Sequence, residues 1–474
     1  MVVGEIPVSA DLVVVGGGPG GYAAALRGAQ LGRDVVLIDR DGPDGVGGVC
    51  LRVGCIPSKA LIEIADRLEH TRSMAHAGLH VENASVDMGA WQQWKDSVVD
   101  SLTGGIRQLL RTAGVSVITG HAQLSRVDQL VVNDPLHPLA PAQYFQFRDL
   151  VLATGSRPAE LAGLARDGVR VLNSSDVLAL DHLPERIAVI GAGYIGLELG
   201  TALAKLGATV TIVEYASRVL PTMDPMFARP IDRRLRQIGI DVRLDTAAVG
   251  FEDGVLRLVC GATTSEVHAD VVVVAVGRIP NTDELGLDAA GITVDARGLV
   301  PVGADRRASR HIAAIGDIVA GPALAHKASA EAEVAVEALC GRPAAFAPTT
   351  IPAVVFCDPE IASAGLTVAD AQACGLDVDS VIVPMGASGR AATMDARDGF
   401  LQLVWDRVGE TVVGVHIAGA HASELIAEGV AAIEMAATLD DVAGSIHAHP
   451  SLSEQFGEAA RLALGRPVHV PARR

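Results

Sequence analysis

Short, wholly apolar runs closed by glycine alternate with alanine-rich stretches along most of the chain. Leu12-Val13-Val14-Val15, entered from Asp11, has the length and continuity of a strand buried on both faces. Tyr22 to Gly32 reads as a helix, and Val35 to Ile38 is a second apolar run ending at Asp39. The same order returns later: Arg186 to Ile190, a helical stretch, then Thr209 to Val213 ending at Glu214. Leu150 to Leu152, Val271 to Val274 and Ile312 to Ile315 add further strands of this type. Strands alternating with helices predict an α/β chain, and the recurrence predicts two such units in tandem.

The turns after these strands carry chemistry. Gly16, Gly18 and Gly21 follow the first strand as G-x-G-x-x-G, and Gly191, Gly193 and Gly196 follow its counterpart. Glycine at these places permits a tight turn and lets the backbone approach a pyrophosphate at the helix N-terminus. An acid closing the next strand can hold a ribose diol. Gly16 to Asp39 and Gly191 to Glu214 span the same distance in sequence, so two Rossmann-like dinucleotide-binding domains and two dinucleotides are expected. Glu214 would repel a 2′-phosphate, which favours NAD over NADP, and Arg218 is the only base nearby. Each unit closes on a strand and a glycine turn, Ala153-Thr154-Gly155-Ser156 and Ala275-Val276-Gly277-Arg278. Gly316-Asp317 ends another strand; an acid there can bind a flavin's sugar-alcohol chain, although Gly-Asp alone reads as a plain turn.

Length and charge narrow the class. The chain has 474 residues, enough for about three domains. A formal charge of −18 opposes a polyphosphate partner, and 3% aromatic residues leave few rings on which bases could stack, so no nucleic-acid partner is expected. No apolar run approaches the roughly 20 residues that span a bilayer. Met1 to Ala10 has neither the basic region nor the apolar core of a leader, so a cytoplasmic location is expected. Cys50, Cys55, Cys260, Cys340, Cys357 and Cys374 are too scattered for a secreted disulfide framework.

Only Cys50 and Cys55 lie close together, with four residues between them. That is about one turn of helix, so both sulfurs can meet on one side. Zinc would want two more ligands at similar spacing and none is nearby, so no metal is expected. Two inert thiols is the bland alternative, but the place just after a dinucleotide fingerprint favours redox chemistry. A thiol attacks only as thiolate and needs a base. In Ile446-His447-Ala448-His449-Pro450-Ser451-Leu452-Ser453-Glu454, His449 is such a base and Glu454 lies within reach to orient its ring. Taken alone, the two histidines read equally well as surface or packing residues.

At G-G-V-C-L-R-V-G-C-I-P-S-K, G-A-G-Y-I-G-L-E-L-G, A-I-G-D, L-A-H-K-A and H-A-H-P-S-L-S-E the chain resembles the pyridine nucleotide–disulfide oxidoreductases, from Asp11 to about Leu464. Within that family it is most similar to the enzymes that oxidise protein-bound dihydrolipoamide with NAD, serving 2-oxo-acid dehydrogenase complexes or glycine cleavage. The resemblance implies FAD held tightly in the first fold, at Gly16, Gly18, Gly21, Asp39, Lys59, Ala122, Thr154, Gly155, Ser156 and Asp317, with the Leu324, Ala325, His326 and Lys327 turn over the ring. It implies NAD in the second, at Gly191, Gly193, Tyr194, Ile195, Gly196, Glu198, Glu214, Ala248, Gly277 and Arg278. Cys55 is then the thiol against the flavin and Cys50 the interchange thiol, the two forming the active disulfide. Lys59 pairs with Glu198. His449 and Glu454 act across a homodimer interface on the partner's cysteines, and a lipoylated acyltransferase is the expected protein partner. Arg52 and Val49 depart from the usual Asn and Thr of the redox helix. The resemblance also implies four parts: an FAD-binding domain over 1–152, an NAD-binding domain over 153–281, a central domain over 282–351 completing the FAD site, and a C-terminal α+β interface (dimerisation) domain over 352–474. Two rivals stand beside this reading: an NAD(P)H-dependent reductase of a small thiol disulfide, and a catalytically silent flavoprotein scaffold. Glu214 argues against NADPH use, and the intact cysteines, His449 and Glu454 argue against the scaffold.

Overall fold

The computed structural model describes residues 7–135, 137 and 139–472, so the reading of Met1 to Ala10 as leaderless falls mostly outside the described residues. Among the described residues no helix is long and apolar enough to cross a membrane. The apolar runs build two parallel sheets of the same plan. In the first, Val8–Val15 lies between Val35–Asp39 and Gln143–Leu152, with Ser116–Thr119 beyond the former. In the second, Arg186–Ile190 lies between Thr209–Val213 and Val271–Val274, with Asp241–Arg243 and Val171–Leu172 at the edges. Leu12, Val13 and Val14 are wholly buried, as are Ala188 and Val189 in the counterpart strand. This explains why these strands read as continuous apolar runs rather than alternating ones. An antiparallel annex sits beside each sheet. The hairpin His121–Arg126 and Gln129–Asn133 pairs with the start of Gln143–Leu152; Ala247–Glu252, Val255–Cys260 and Thr263–His268 form the other.

A two-stranded antiparallel link, Ser156–Pro158 against Arg278–Pro280, ties the two glycine turns together. The segment expected as a central domain returns to the first sheet. Ile312–Ala314 pairs in parallel with Leu150–Leu152, and helix Ala325–Leu339 packs on the first fingerprint helix, Pro19–Gln30. The sequence marked Ile312–Ile315 as a strand but carries no local sign of which sheet it joins. From Ala353 onward the chain forms an antiparallel sheet in the order Ala353–Val355, Ile361–Gly365, Val412–Ala418, Phe400–Asp406, Val378–Pro384. Helices Ala422–Glu434 and Glu454–Ala463 cover it through Ile426, Ile433, Phe456 and Ala460.

The return segment is held by a buried charge cluster. Glu331, with no exposed surface, accepts from Arg306 Nη1 at 3.0 Å, Lys327 Nζ at 3.1 Å and the Gly316 amide at 2.8 Å. Lys327 Nζ also donates to the Gly316 carbonyl at 3.1 Å, so this lysine faces inward and fixes the loop that presents Asp317. Removing one partner of such a cluster strands the others away from water. Glu331→Ala should therefore cost about 3–5 kcal/mol of stability, and Glu331→Gln, which keeps an acceptor oxygen, distinctly less. Denaturant melts of both variants check this; equal, small losses would mean the cluster carries little.

Candidate active site

The two fingerprint turns are built alike. A Cβ added to Gly16 would lie 2.4 Å from the Ala153 carbonyl oxygen, and one on Gly191 would lie 2.6 Å from that of Ala275. Both residues have φ near +102°, where side chains are strained. A Cβ on Gly21 would meet the Gly16 oxygen at 1.7 Å, and one on Gly196 the Gly191 oxygen at 1.9 Å. The middle glycines differ: around Gly18 and Gly193 an added Cβ meets nothing within 4 Å. The first and third glycines thus serve the fold. The middle one leaves open space at the N-terminus of a helix, the place where a pyrophosphate would sit.

The strand-end acids are wired alike too. Asp39 accepts the Gly17 amide at 2.7 Å and that of Asp41 at 3.0 Å, and Glu214 accepts those of Ala192 at 2.6 Å and Ala216 at 2.7 Å. Arg218 spends its guanidinium on the carbonyls of Leu220 and Pro221, at 3.1 and 2.8 Å, and is not free to grip a 2′-phosphate. Ala122 and Ala248 are buried in apolar clusters, which leaves only their backbones to meet a ligand.

Between the turns lies a polar chain. Arg278 donates to Ser156 Oγ at 2.7 Å and to its carbonyl at 2.5 Å, and Ser156 Oγ donates to Asp317 Oδ2 at 2.5 Å. Thr154 and Asn281 exchange two bonds, Oγ1 to carbonyl at 2.7 Å and side-chain amide to carbonyl at 2.9 Å. Tyr194, 44% exposed as a whole, stands where Arg278, Asp317, Glu198 and Cys55 all act on it, and the partial desolvation of its hydroxyl pushes it above the ordinary range. Ile195, next in the chain, is half-buried against the apolar core. Leu324 precedes helix Ala325–Leu339, and His326 at the surface bonds the Pro352 carbonyl at 2.9 Å.

The cysteines do not share one helix. Cys50 lies in Gly48–Val53 and Cys55 opens Cys55–Ser73, the break falling at Gly54. A Cβ on Gly54 would come within 2.8 Å of the Val49 carbonyl oxygen, so glycine is needed at that corner. The two sulfurs lie close enough that each is the largest influence on the other's titration. The neighbouring Cys55 sulfur, then burial, raises the Cys50 thiol well above its usual range. Cys50 in turn lowers Cys55, an exposed residue, to about 7, with help from Lys59. Lys59 Nζ bonds Glu198 Oε2 at 2.7 Å and lies 4.5 Å from the centre of the Phe356 ring, while Glu198 Oε1 accepts the Phe356 amide at 2.9 Å. Phe356 was not legible as a site residue; a lone aromatic in a loop gives no signal. Arg52 turns outward to Asp41 Oδ2 at 3.0 Å, and Val49 is exposed.

His449 and Glu454 meet, Nδ1 to Oε1, at 2.9 Å, and Glu454 Oε2 accepts the Ser451 amide at 2.9 Å. That amide first, then the ring, holds the Glu454 carboxyl below the usual range. An ionised carboxylate can only accept, so the proton of that bond lies on Nδ1, and Nε2 takes part in none of the described hydrogen bonds. The His449 side chain is 77% exposed, and none of its described hydrogen bonds or ion pairs reaches either cysteine of its own chain. His447 has the reverse arrangement: its side chain is 10% exposed and Nε2 is taken by Glu428 at 2.7 Å. Among the described residues no group of three or more His, Cys, Asp or Glu is arranged to hold a metal.

The glycine geometry gives a direct test. Gly18→Ala and Gly193→Ala should leave the melting temperature nearly unchanged while weakening dinucleotide binding. Gly21→Ala and Gly196→Ala should each destabilise by at least the roughly 1–3 kcal/mol of an overpacked core. Melting curves with and without added dinucleotide separate the two classes; four similar losses would remove the ligand role of the middle glycines.

Residues 10–332 match the model of the pyridine nucleotide-disulphide oxidoreductases, and residues 351–460 match that family's dimerisation domain, which indicates a homodimer. The chain is 44% identical over 476 residues to a dihydrolipoyl dehydrogenase of Geobacillus stearothermophilus, covering 99% of each. It is equally similar to one of Bacillus subtilis, at 44% over 99% of this chain and 100% of that protein. Among solved structures it is similar to LpdA of Mycobacterium tuberculosis, with a TM-score of 0.87 at 26% identity, over 95% of this chain and 99% of that one. It is also similar to the HOCl-induced flavoprotein disulfide reductase RclA of Escherichia coli, with a TM-score of 0.84 at 25% identity, over 95% and 99%. Two fingerprint folds, a polarised thiol pair and matches over both halves make one assignment: the chain belongs to the pyridine nucleotide–disulphide oxidoreductases.

Proposed function

We propose that the protein oxidises dihydrolipoamide, carried on a lipoylated acyltransferase, and passes the electrons to NAD. The observation that carries this is the thiol pair at the corner of two helices, Cys50 pushed up and Cys55 pushed down to about 7, with Lys59 one turn further along the Cys55 helix and paired to Glu198 at 2.7 Å. Relatives named dihydrolipoyl dehydrogenase match over the whole chain, which supports the same substrate. The open cradles at Gly18 and Gly193, each followed by an oriented carboxylate, fit two dinucleotides, FAD in the first and NAD in the second. FAD supplies the two-electron relay between thiols and nicotinamide that no side chain provides.

The chain's own residues handle thiols and protons. In the oxidised enzyme Cys50 and Cys55 are joined. A substrate thiol gives its proton to His449 Nε2 of the partner subunit, and the resulting thiolate attacks Cys50 Sγ; the Cys50–Cys55 bond breaks and Cys55 leaves as thiolate. The second substrate thiol then attacks the substrate sulfur of the mixed disulfide. The proton of that second thiol passes to the departing Cys50 sulfur, so cyclic lipoamide is released, Cys50 returns as a thiol, and the first proton stays on the His449 imidazolium until solvent takes it. Glu454 favours that imidazolium through Nδ1, and Lys59, braced by Glu198, steadies the Cys55 thiolate.

His449→Gln should lower dihydrolipoamide oxidation by about 10²–10⁴-fold while sparing electron transfer from NADH to a small dye, which needs no thiol exchange. Equal losses in both assays would make His449 structural. Mixed dimers of Cys50→Ser and His449→Gln chains should regain one working site, whereas an active monomer would contradict action across the interface. A preference for NADPH, or for a small disulfide substrate over lipoamide, would favour the rival reductase reading.

A further inference from the structure

Two turns beyond the Lys59–Glu198 bridge, the same two helices carry a second one with its charges reversed. Asp66 and Lys205 each lie seven residues along from the first pair, so both helices advance about 10 Å in step. Lys205 Nζ bonds Asp66 Oδ1 at 2.5 Å and, at 2.7 Å, Oδ2 of Asp358. Lys205 is buried, its side chain 5% exposed, so its charge depends on these partners. Asp358 also takes Arg234 Nε at 2.7 Å, and Arg234 Nη2 reaches back to Glu69 of the thiol helix at 2.7 Å. Burial works against the Asp358 carboxylate, but Lys205 and Arg234 prevail and hold its carboxyl below the usual range.

The two bridges share a brace. Phe356 donates its amide to Glu198 at the first, and Asp358, two residues on, closes the second. Segment 356–358 comes from the C-terminal part of the chain, the thiol helix from the first and helix Tyr194–Leu206 from the second fingerprint fold. One short segment therefore spans both rungs of a ladder between the helix that bears Cys55 and Lys59 and the helix that bears Glu198.

We infer that Asp358 is a positioning residue: by locking the second rung it sets the register of these two helices and keeps Lys59 against Cys55. The inference rests on the role given to Lys59 above. Its test needs neither flavin chemistry nor lipoamide.

The probe is the pH dependence of Cys55 alkylation by iodoacetamide, read by mass spectrometry in a Cys50→Ser background whose hydroxyl keeps a donor beside Cys55. Lys59→Met should move the midpoint up, since a nearby cation is lost. Asp358→Asn should also move it up, by about half a pH unit or more. By direct charge alone, losing an anion would move it down, so an upward shift reports geometry. Asp66→Asn, which leaves Lys205 one carboxylate, should shift it less in the same direction and serves if Asp358→Asn does not fold. Asp398→Asn, which breaks the exposed Arg233–Asp398 pair, should leave the midpoint in place. A downward or absent shift in Asp358→Asn and Asp66→Asn, with Lys59→Met still moving it, overturns the ladder alone. A fixed midpoint in Lys59→Met overturns the lysine's role and the ladder with it.

Discussion

A carboxylate taken out of water must be answered by donors, and Glu198 is answered by two parts of the chain far apart in sequence. Its oxygens take Lys59 from the thiol helix and the Phe356 amide from the C-terminal part, while its own helix belongs to the second fingerprint fold. Leaving either oxygen unpaired would cost several kcal/mol. Correct docking of three separately built units is therefore enforced at the point where the thiols stand. The cation that steadies Cys55 is held by the same bond that reports the assembly as complete.

The local elements were largely legible because they follow from local rules. Continuous apolar runs became buried parallel strands, and the glycine fingerprints became turns whose first and third positions have no room for a side chain. His449 and Glu454 could be paired on spacing alone because one short loop joins them. What escaped the sequence depends on long-range pairing. Nothing near Ile312 announces that it will lie beside Leu150. Nothing near Phe356 or Asp358 announces partners more than a hundred residues away. Nothing near Lys327 announces that its charge will be spent on Glu331 and the Gly316 carbonyl. The helix break between the cysteines was within reach of sequence reasoning, since Gly54 immediately precedes Cys55.

The thiol pair shows how little the protein must do to make two identical side chains unlike. Each sulfur shifts the other, Cys50 upward and Cys55 downward, and a lysine on the next turn of helix favours charge on Cys55. Neither effect requires an unusual residue. The first requires that the corner at Gly54 bring the short helix Gly48–Val53 against the start of Cys55–Ser73; the second needs only one turn of the latter.

The paired wiring of Asp39 and Glu214 has a consequence for how such a protein can change. Each carboxylate accepts one amide of its own turn and one of the glycine turn beside it, so the group that would meet a ribose also holds both loops in shape. Selectivity and foldability are thus encoded in the same atoms. A lineage that traded Glu214 for a residue welcoming a phosphate would have to supply new acceptors for Ala192 and Ala216 in the same step, or pass through a weakened intermediate. Coenzyme preference is therefore the slowly drifting trait here, and adaptation should fall first on side chains around the rim that carry no structural bond.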